Sequence, residues 1–195
     1  MATILSDAAR DWIEEWSGDL RPFYDSWNAW NGAPSMTASL QTVSMLVGLA
    51  QSVGGACLDL GSGFSSFALR SSGARAVTVD HDTHWLERTG RFLDRNRVPR
   101  GVMLRNIEHL RAQYSVVFYD FGDMKARIES LSRAYDRVEP GGYIVVDDMH
   151  VGGLRKAAFG IRDKYSLRPV SYDEIRELTL DEYGRWSTIM QKDEP

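Results

Sequence analysis

The chain has 195 residues, 43% of them hydrophobic and 26% charged, which suits one compact domain with a proper core. A formal charge of -4 argues against a dedicated nucleic-acid binder, and a single cysteine, Cys57, excludes an internal disulfide. The sequence opens on no basic segment with an apolar core and holds no apolar run of about 18 residues, so a cytoplasmic single domain over 1–195 with no membrane partner is expected.

The first 35 residues carry six of the 21 aromatics: Trp12, Trp16, Phe23, Tyr24, Trp27 and Trp30. Trp12 and Trp16 stand at i, i+4 behind the N-cap candidates Ser6 and Asp7, which predicts a short amphipathic helix ending near Gly18. Residues 28–35 are rich in breakers and read as a loop. This 1–35 extension is either a helix packed on the core through its tryptophans, the favoured reading, or a lid over a flat substrate.

Leu40, Val43, Leu46, Val47 and Leu49 then mark a helix that Gly54-Gly55 stops. Strands and helices alternate from there: strand Ala56–Leu60, a helix from Ser65 to Ser71, strand Ala76–Asp80, helix His84–Arg97 and strand Val102–Arg105. Strand Ser115–Tyr119, helix Ala126–Val138, a turn at Pro140-Gly141-Gly142 and strand Tyr143–Val146 follow. Beyond a helix from Leu154 to Tyr165, the segments 167–170, 179–180 and 186–191 read as strands. Asp181–Gly184 is then the loop of a terminal antiparallel hairpin. Continuous apolar runs such as Val116-Val117-Phe118 suit strands covered on both faces. The expected fold is α/β: a doubly wound, seven-stranded, mostly parallel sheet with an antiparallel C-terminal hairpin and helices on both faces.

Between Arg88 and Arg111 seven arginines stand against Glu87, Asp94 and Glu108. Such a run is usually a solvated helix face, and nucleic acid is the minority reading.

Gly61 and Gly63 lie between a strand and a helix, where backbone can approach a ligand and free N–H groups are on offer. Gly-x-Gly alone is weak, because a tight turn needs glycine for steric reasons. Asp59 before the turn and Asp80 at the end of the next strand strengthen it. A carboxylate at that strand end commonly accepts hydrogen bonds from ribose hydroxyls.

With Asp59-Leu60-Gly61-Ser62-Gly63, Asp80 and the Pro140-Gly141-Gly142 turn, residues 37–192 resemble the class I, Rossmann-like methyltransferases. The resemblance implies that Gly61, Ser62, Gly63 and Ser65 wrap the methionine part of S-adenosylmethionine (SAM), and that Asp59 orders the loop or meets the amino group. It further places Asp80 on the ribose with His81 beside it, and Asn106 and Ile107 at the adenine. A nicotinamide dehydrogenase would have a third glycine where Ser66 stands.

Asp120 closes the fourth strand, and Asp147 with Asp148 closes the fifth. Carboxylates gathered there repel one another unless protonated, hydrogen-bonded or bridged by a cation. Hard oxygen ligands suit Mg²⁺ or another hard divalent ion. The positions resemble the metal-dependent O-methyltransferases of the catechol and caffeoyl-CoA type, which implies Asp120, Asp147 and Asp148 as metal ligands and Asp120 at the cofactor. In that group the metal lowers the pKa of an acceptor hydroxyl. This chain departs in having Asp-Asp where Asp-Asn is usual, and Asp123 where the catechol enzymes have lysine, so His150 joins Asp120 as a catalytic candidate.

The expected activity is SAM-dependent O-methylation of a small hydroxylated molecule with divalent-metal assistance. A metal-independent small-molecule N- or O-methyltransferase, an RNA methyltransferase using the arginine face, and a non-catalytic SAM-binding module are the alternatives. A homodimer is among the admissible assemblies.

Overall fold

The computed structural model describes residues 2–31 and 36–194. Strands β1 (Ala56–Leu60), β2 (Arg75–Val79), β3 (Val102–Leu104), β4 (Tyr114–Tyr119), β5 (Val138–Val146), β6 (Leu167–Pro169) and β7 (Thr188–Lys192) form one sheet in the order β3-β2-β1-β4-β5-β7-β6. The first five are parallel, and β7 runs antiparallel to both β5 and β6. This is the expected doubly wound sheet with an antiparallel edge.

Alternate residues along the central strands feed two separate cores, as the period of two in a strand requires. Cys57, Val116 and Phe118 join helices α1 (Ala2–Asn31), α2 (Leu40–Val53), α3 (Phe64–Ser71), α4 (Thr83–Arg95) and α7 (Tyr172–Thr179) on one face. Leu58, Leu60, Val117 and Tyr119 join α5 (Met124–Tyr135) and α6 (Gly152–Gly160) on the other.

The N-terminal segment differs from expectation. It is one helix of 30 residues that runs through Gly18 and Pro22 and includes residues 28–31 of the expected loop, while residues 32–35 lie outside the described residues. Burial of Ala9, Leu20 and Trp27, with Trp12, Trp16 and Tyr24 packed beside them, extends one apolar stripe along the whole helix. Gly18 and Pro22 both lie on the exposed side. There the carbonyl that proline leaves without an N–H partner can be hydrated, and packing outweighs the local propensities. The contact with α2 is close: a Cβ on Gly48 would fall 2.1 Å from Trp12 Cγ.

Three further boundaries change. Residues 172–179 form α7, so Thr179 ends a helix, and the strand on the outer side of β7 is Leu167–Pro169. Its acidic N-terminus, Asp173 and Glu174, suits the helix dipole, and Asp181–Gly184 joins α7 to β7 instead of joining two strands. Pro140-Gly141-Gly142 is absorbed into a longer β5, with a register shift against β4 between Tyr114 and Val116. The helix predicted to reach Tyr165 stops at Gly160, before a 3-10 turn at Asp163–Tyr165.

Candidate active site

Parallel strands place their carboxyl ends along one edge of the sheet, where loops from β1, β2, β4 and β5 meet. A cavity of about 330 Å³ opens there, within the range of sites for small ligands and cofactors. Its floor is the turn from Gly61 to Ser65, one wall is Asp80, His81 and Trp85, another is Asp120, Gly122 and Arg127, and Trp27 with Thr37 closes it from the α1 side.

The two glycines of the turn have different reasons to be glycine. Gly61 has φ +107°, and a Cβ there would lie 2.2 Å from the Asp120 carbonyl oxygen. Its need is steric, set by the approach of β4. Gly63 is extended, and a Cβ there would meet nothing nearer than Trp27 Cζ2 at 3.9 Å. The space above Gly63 belongs to the cavity, and the first N–H groups of α3 border it.

Beneath the turn, Asp59 is fully buried and accepts hydrogen bonds from Ser65 Oγ at 2.9 Å, from Thr78 Oγ1 at 3.0 Å and from Ser66 Oγ. Burial raises its pKa, and those hydroxyls with the nearby Arg70 oppose the rise. Asp59 therefore orders the turn and has no surface left for a ligand. Arg70 ties the same corner together, donating to Ser66 O, Thr78 Oγ1, Ala76 O, Val102 O and Arg100 O.

Asp80 braces the turn from the next strand. Its Oδ2 accepts from Ser62 N at 2.8 Å and Ser62 Oγ at 2.9 Å, and its Oδ1 from Asp82 N at 2.9 Å. A carboxylate accepts about four hydrogen bonds; three protein donors reach this one, His81 Nδ1 stands 3.7 Å from its Oδ1, and the residue lines the cavity. His81 lies alongside, its ring 5.1 Å from that of Phe121. Asn106 caps the short 3-10 turn after β3 and Ile107 is buried in the second core; neither lines the cavity. Asp82 and Trp85 take that side instead.

The roof is aromatic. Trp27 is 1% exposed, stacks edge-on against Phe92 at 5.1 Å, and donates from Nε1 to Thr37 Oγ1 at 3.2 Å. Arg88 secures the end of α1 by donating to the carbonyls of Trp30 and Asn31, with its guanidinium over the rings of Trp30 and Trp85. Elsewhere in the arginine run, Arg91 pairs with Glu87 and Arg100 with Asp94.

At the other end of the cavity the strand-end carboxylates are arranged otherwise than expected. Arg127, from the first turns of α5, holds Asp120 Oδ1 through Nη2 and Asp148 Oδ2 through Nη1, each at 2.5 Å, and donates from Nε to the Gly122 carbonyl at 3.2 Å. Asp147 is buried and accepts from Ser187 Oγ at 2.6 Å, at the end of a chain of hydroxyls through Thr42 to the α2 N-cap Ser39. Burial raises the pKa of Asp120, as do Asp147 and Asp148, and Arg127 pulls it back. Burial also raises that of Asp147.

These residues do not fit the expected metal. A Mg²⁺ bridging Asp120 Oδ1 and Asp148 Oδ2 would need to sit about 2.1 Å from both oxygens, and the guanidinium nitrogens already take that space. Asp147 is committed to Ser187, and no group of three or more His, Cys, Asp or Glu side chains placed to hold a metal occurs among the described residues. His150 lies 3.6 Å from Asp148 Oδ1 and does not line the cavity.

Gly61, Ser62, Gly63, Ser65, Asp80, His81 and Asp120, expected at one site, share this cavity with Trp27 from the aromatic segment read as a core helix or a lid, while Trp85 and Arg127 line it without having been expected from the sequence. Arg127 left one trace in the sequence: a cation in the first turns of a helix, where the dipole disfavours it, directly after the Asp120 loop.

The architecture is a doubly wound, Rossmann-like α/β fold with a cavity at the carboxyl ends of its strands, and solved methyltransferases share that fold. An O-methyltransferase from Bacillus cereus, solved with S-adenosylhomocysteine (SAH), superposes with a TM-score of 0.70 at 16% identity over 95% of this chain and 100% of that one. A putative O-methyltransferase from Klebsiella pneumoniae gives 0.67 at 15% identity over 95% and 99% of the two chains. TomG from Streptomyces achromogenes, an O-methyltransferase of tomaymycin synthesis solved with SAM, gives 0.64 at 16% identity over 94% and 89%. No protein-family model and no curated protein matches the sequence.

Proposed function

We propose that the chain transfers the methyl group of SAM to a hydroxyl of a small molecule, without a metal. The observation that carries this reading is one cavity with a glycine turn and the Asp80 carboxylate at one end, and an arginine-held carboxylate at the other. The solved structures of the same fold that hold SAH or SAM support the choice of cofactor.

Bound SAM supplies an electrophilic methyl group: the acceptor oxygen forms the new bond to carbon as the sulfur–carbon bond breaks and its electron pair stays on sulfur. Gly61 to Ser65 cradle the methionine end, with Asp59 beneath them as a brace. Asp80 receives one ribose hydroxyl while Ser62 keeps its carboxylate in place. Trp27, anchored by Thr37, shields the reacting centre from water. Asp120 accepts the acceptor's proton on Oδ2, since Arg127 occupies Oδ1. A base held this way contributes about 10²–10⁴ in rate, and holding both reactants in line contributes further.

Calorimetry with SAH tests the cofactor, with micromolar binding expected. Incubation with SAM and a panel of small alcohols and phenols tests the reaction, read as methylated product by mass spectrometry with chelator present throughout. Absence of SAH binding at millimolar concentration overturns the reading, and activity that chelator abolishes overturns its metal-free part.

A further inference from the structure

We propose that Arg127 is the resident cation of this site, standing among the strand-end carboxylates where a divalent ion would otherwise bind, and that it thereby selects acceptors with a single hydroxyl over metal-chelating vicinal diols. The acceptor class rests on the methyl-transfer reading; the cation's place rests on geometry alone.

Three groups from two loops converge on this guanidinium: the Asp120 carboxylate and the Gly122 carbonyl after β4, and the Asp148 carboxylate after β5. The backbone at two of them is unusual. Gly122 has φ +74° and Asp148, a residue with a side chain, has φ +56°, a left-handed conformation that asparagine and aspartate tolerate and other residues avoid. Arg127 itself is only 12% exposed and is the fourth residue of α5. A positive charge there opposes the helix dipole, and the two carboxylates offset that cost. The sequence thus accepts two local disadvantages to place one fixed positive charge between two acids.

A guanidinium and a metal ion make different demands on the acceptor. A metal offers open coordination positions that two neighbouring oxygens can fill together. Arg127 has five N–H donors, of which three are engaged, so up to two remain for one acceptor oxygen. Its planar fork also fixes the direction of Asp120, which a hydrated ion would not.

The discriminating measurement is Mn²⁺ binding followed by electron paramagnetic resonance, without cofactor. Wild type is expected to bind no Mn²⁺ up to millimolar concentration. Arg127→Ala leaves Asp120 and Asp148 facing each other uncompensated, and is expected to bind Mn²⁺ at least about tenfold more tightly than wild type. Adding Asp148→Asn to that variant should remove the gain. Arg127→Gln, close in length and neutral, is read in the same way where the alanine variant lacks a native thermal transition. The proposal is overturned if wild type binds Mn²⁺ and Asp120→Asn abolishes that binding, or if a folded neutral variant gains none. Failure of the methyl-transfer reading shows separately, as absent SAH binding by wild type, and leaves the Mn²⁺ result intact.

Discussion

Alanine at Gly61 and at Gly63 should produce opposite failures, although the two glycines are two residues apart in one turn. At Gly61 the φ of +107° is unfavourable for any residue with a Cβ, and the new atom would stand 2.2 Å from the Asp120 carbonyl oxygen. The left-handed conformation costs about 1–2 kcal/mol and the overlap about 1–3 kcal/mol, so Gly61→Ala is expected to lose about 2–5 kcal/mol of stability. At Gly63 the backbone is extended and the nearest atom, Trp27 Cζ2, is 3.9 Å from the new Cβ. Only a less suitable N-cap for α3 is created, costing about 1 kcal/mol or less. The methyl group would, however, occupy the cavity where backbone meets the ligand, and SAH affinity should fall about tenfold or more, equivalent to about 1.4 kcal/mol. Thermal denaturation and calorimetry with SAH measure the two effects on the same samples. The reasoning is refuted if Gly63→Ala is destabilised as much as Gly61→Ala, or if it binds SAH with unchanged affinity.

Two further outcomes follow from the titrating groups. In the proposed reaction Asp120 acts in its ionised form, and its pKa is raised above the ordinary carboxylate value of about 3.9. Activity should therefore decline as pH falls through a value above that, and Asp120→Asn should cut kcat about 10²-fold or more, abolish the acid limb of the kcat/KM profile and leave SAH affinity within about threefold; an unchanged limb would contradict its role as base. Burial pushes the Cys57 thiol up to about 12, so at pH 8 only about one part in 10⁴ is thiolate. Cys57 should resist alkylation in the folded protein and react on denaturation, and rapid labelling of native protein would show that β1 opens.

Much of the fold was legible because it depends on local pattern. Apolar runs such as Val116-Val117-Phe118 suit strands buried on both faces, and the glycine turn sits where β1 gives way to α3. The sequence alone thus determined the doubly wound sheet, the strand ends and the acids that close them. The reach of α1 was not legible, because Gly18 and Pro22 are strong local stop signals whose cost is overcome only by the stripe from Ala9 to Trp27 packed on the core. Neither was α7, whose eight residues lie between segments that read as strands.

The site divides along the same line. Asp59 and Asp80 were placed by their distance from the glycine turn, yet only the tertiary structure shows that Asp59 is sealed beneath it and Asp80 open to it. Asp120 and Asp148 were placed at their strand ends, and their like charges predicted a counter-ion. The identity of that counter-ion depended on a side chain from α5 folding back across Gly122, a long-range contact that strand and helix periodicity do not encode. Sequence determined where the negative charge collects, and tertiary structure decided that Arg127 neutralises it.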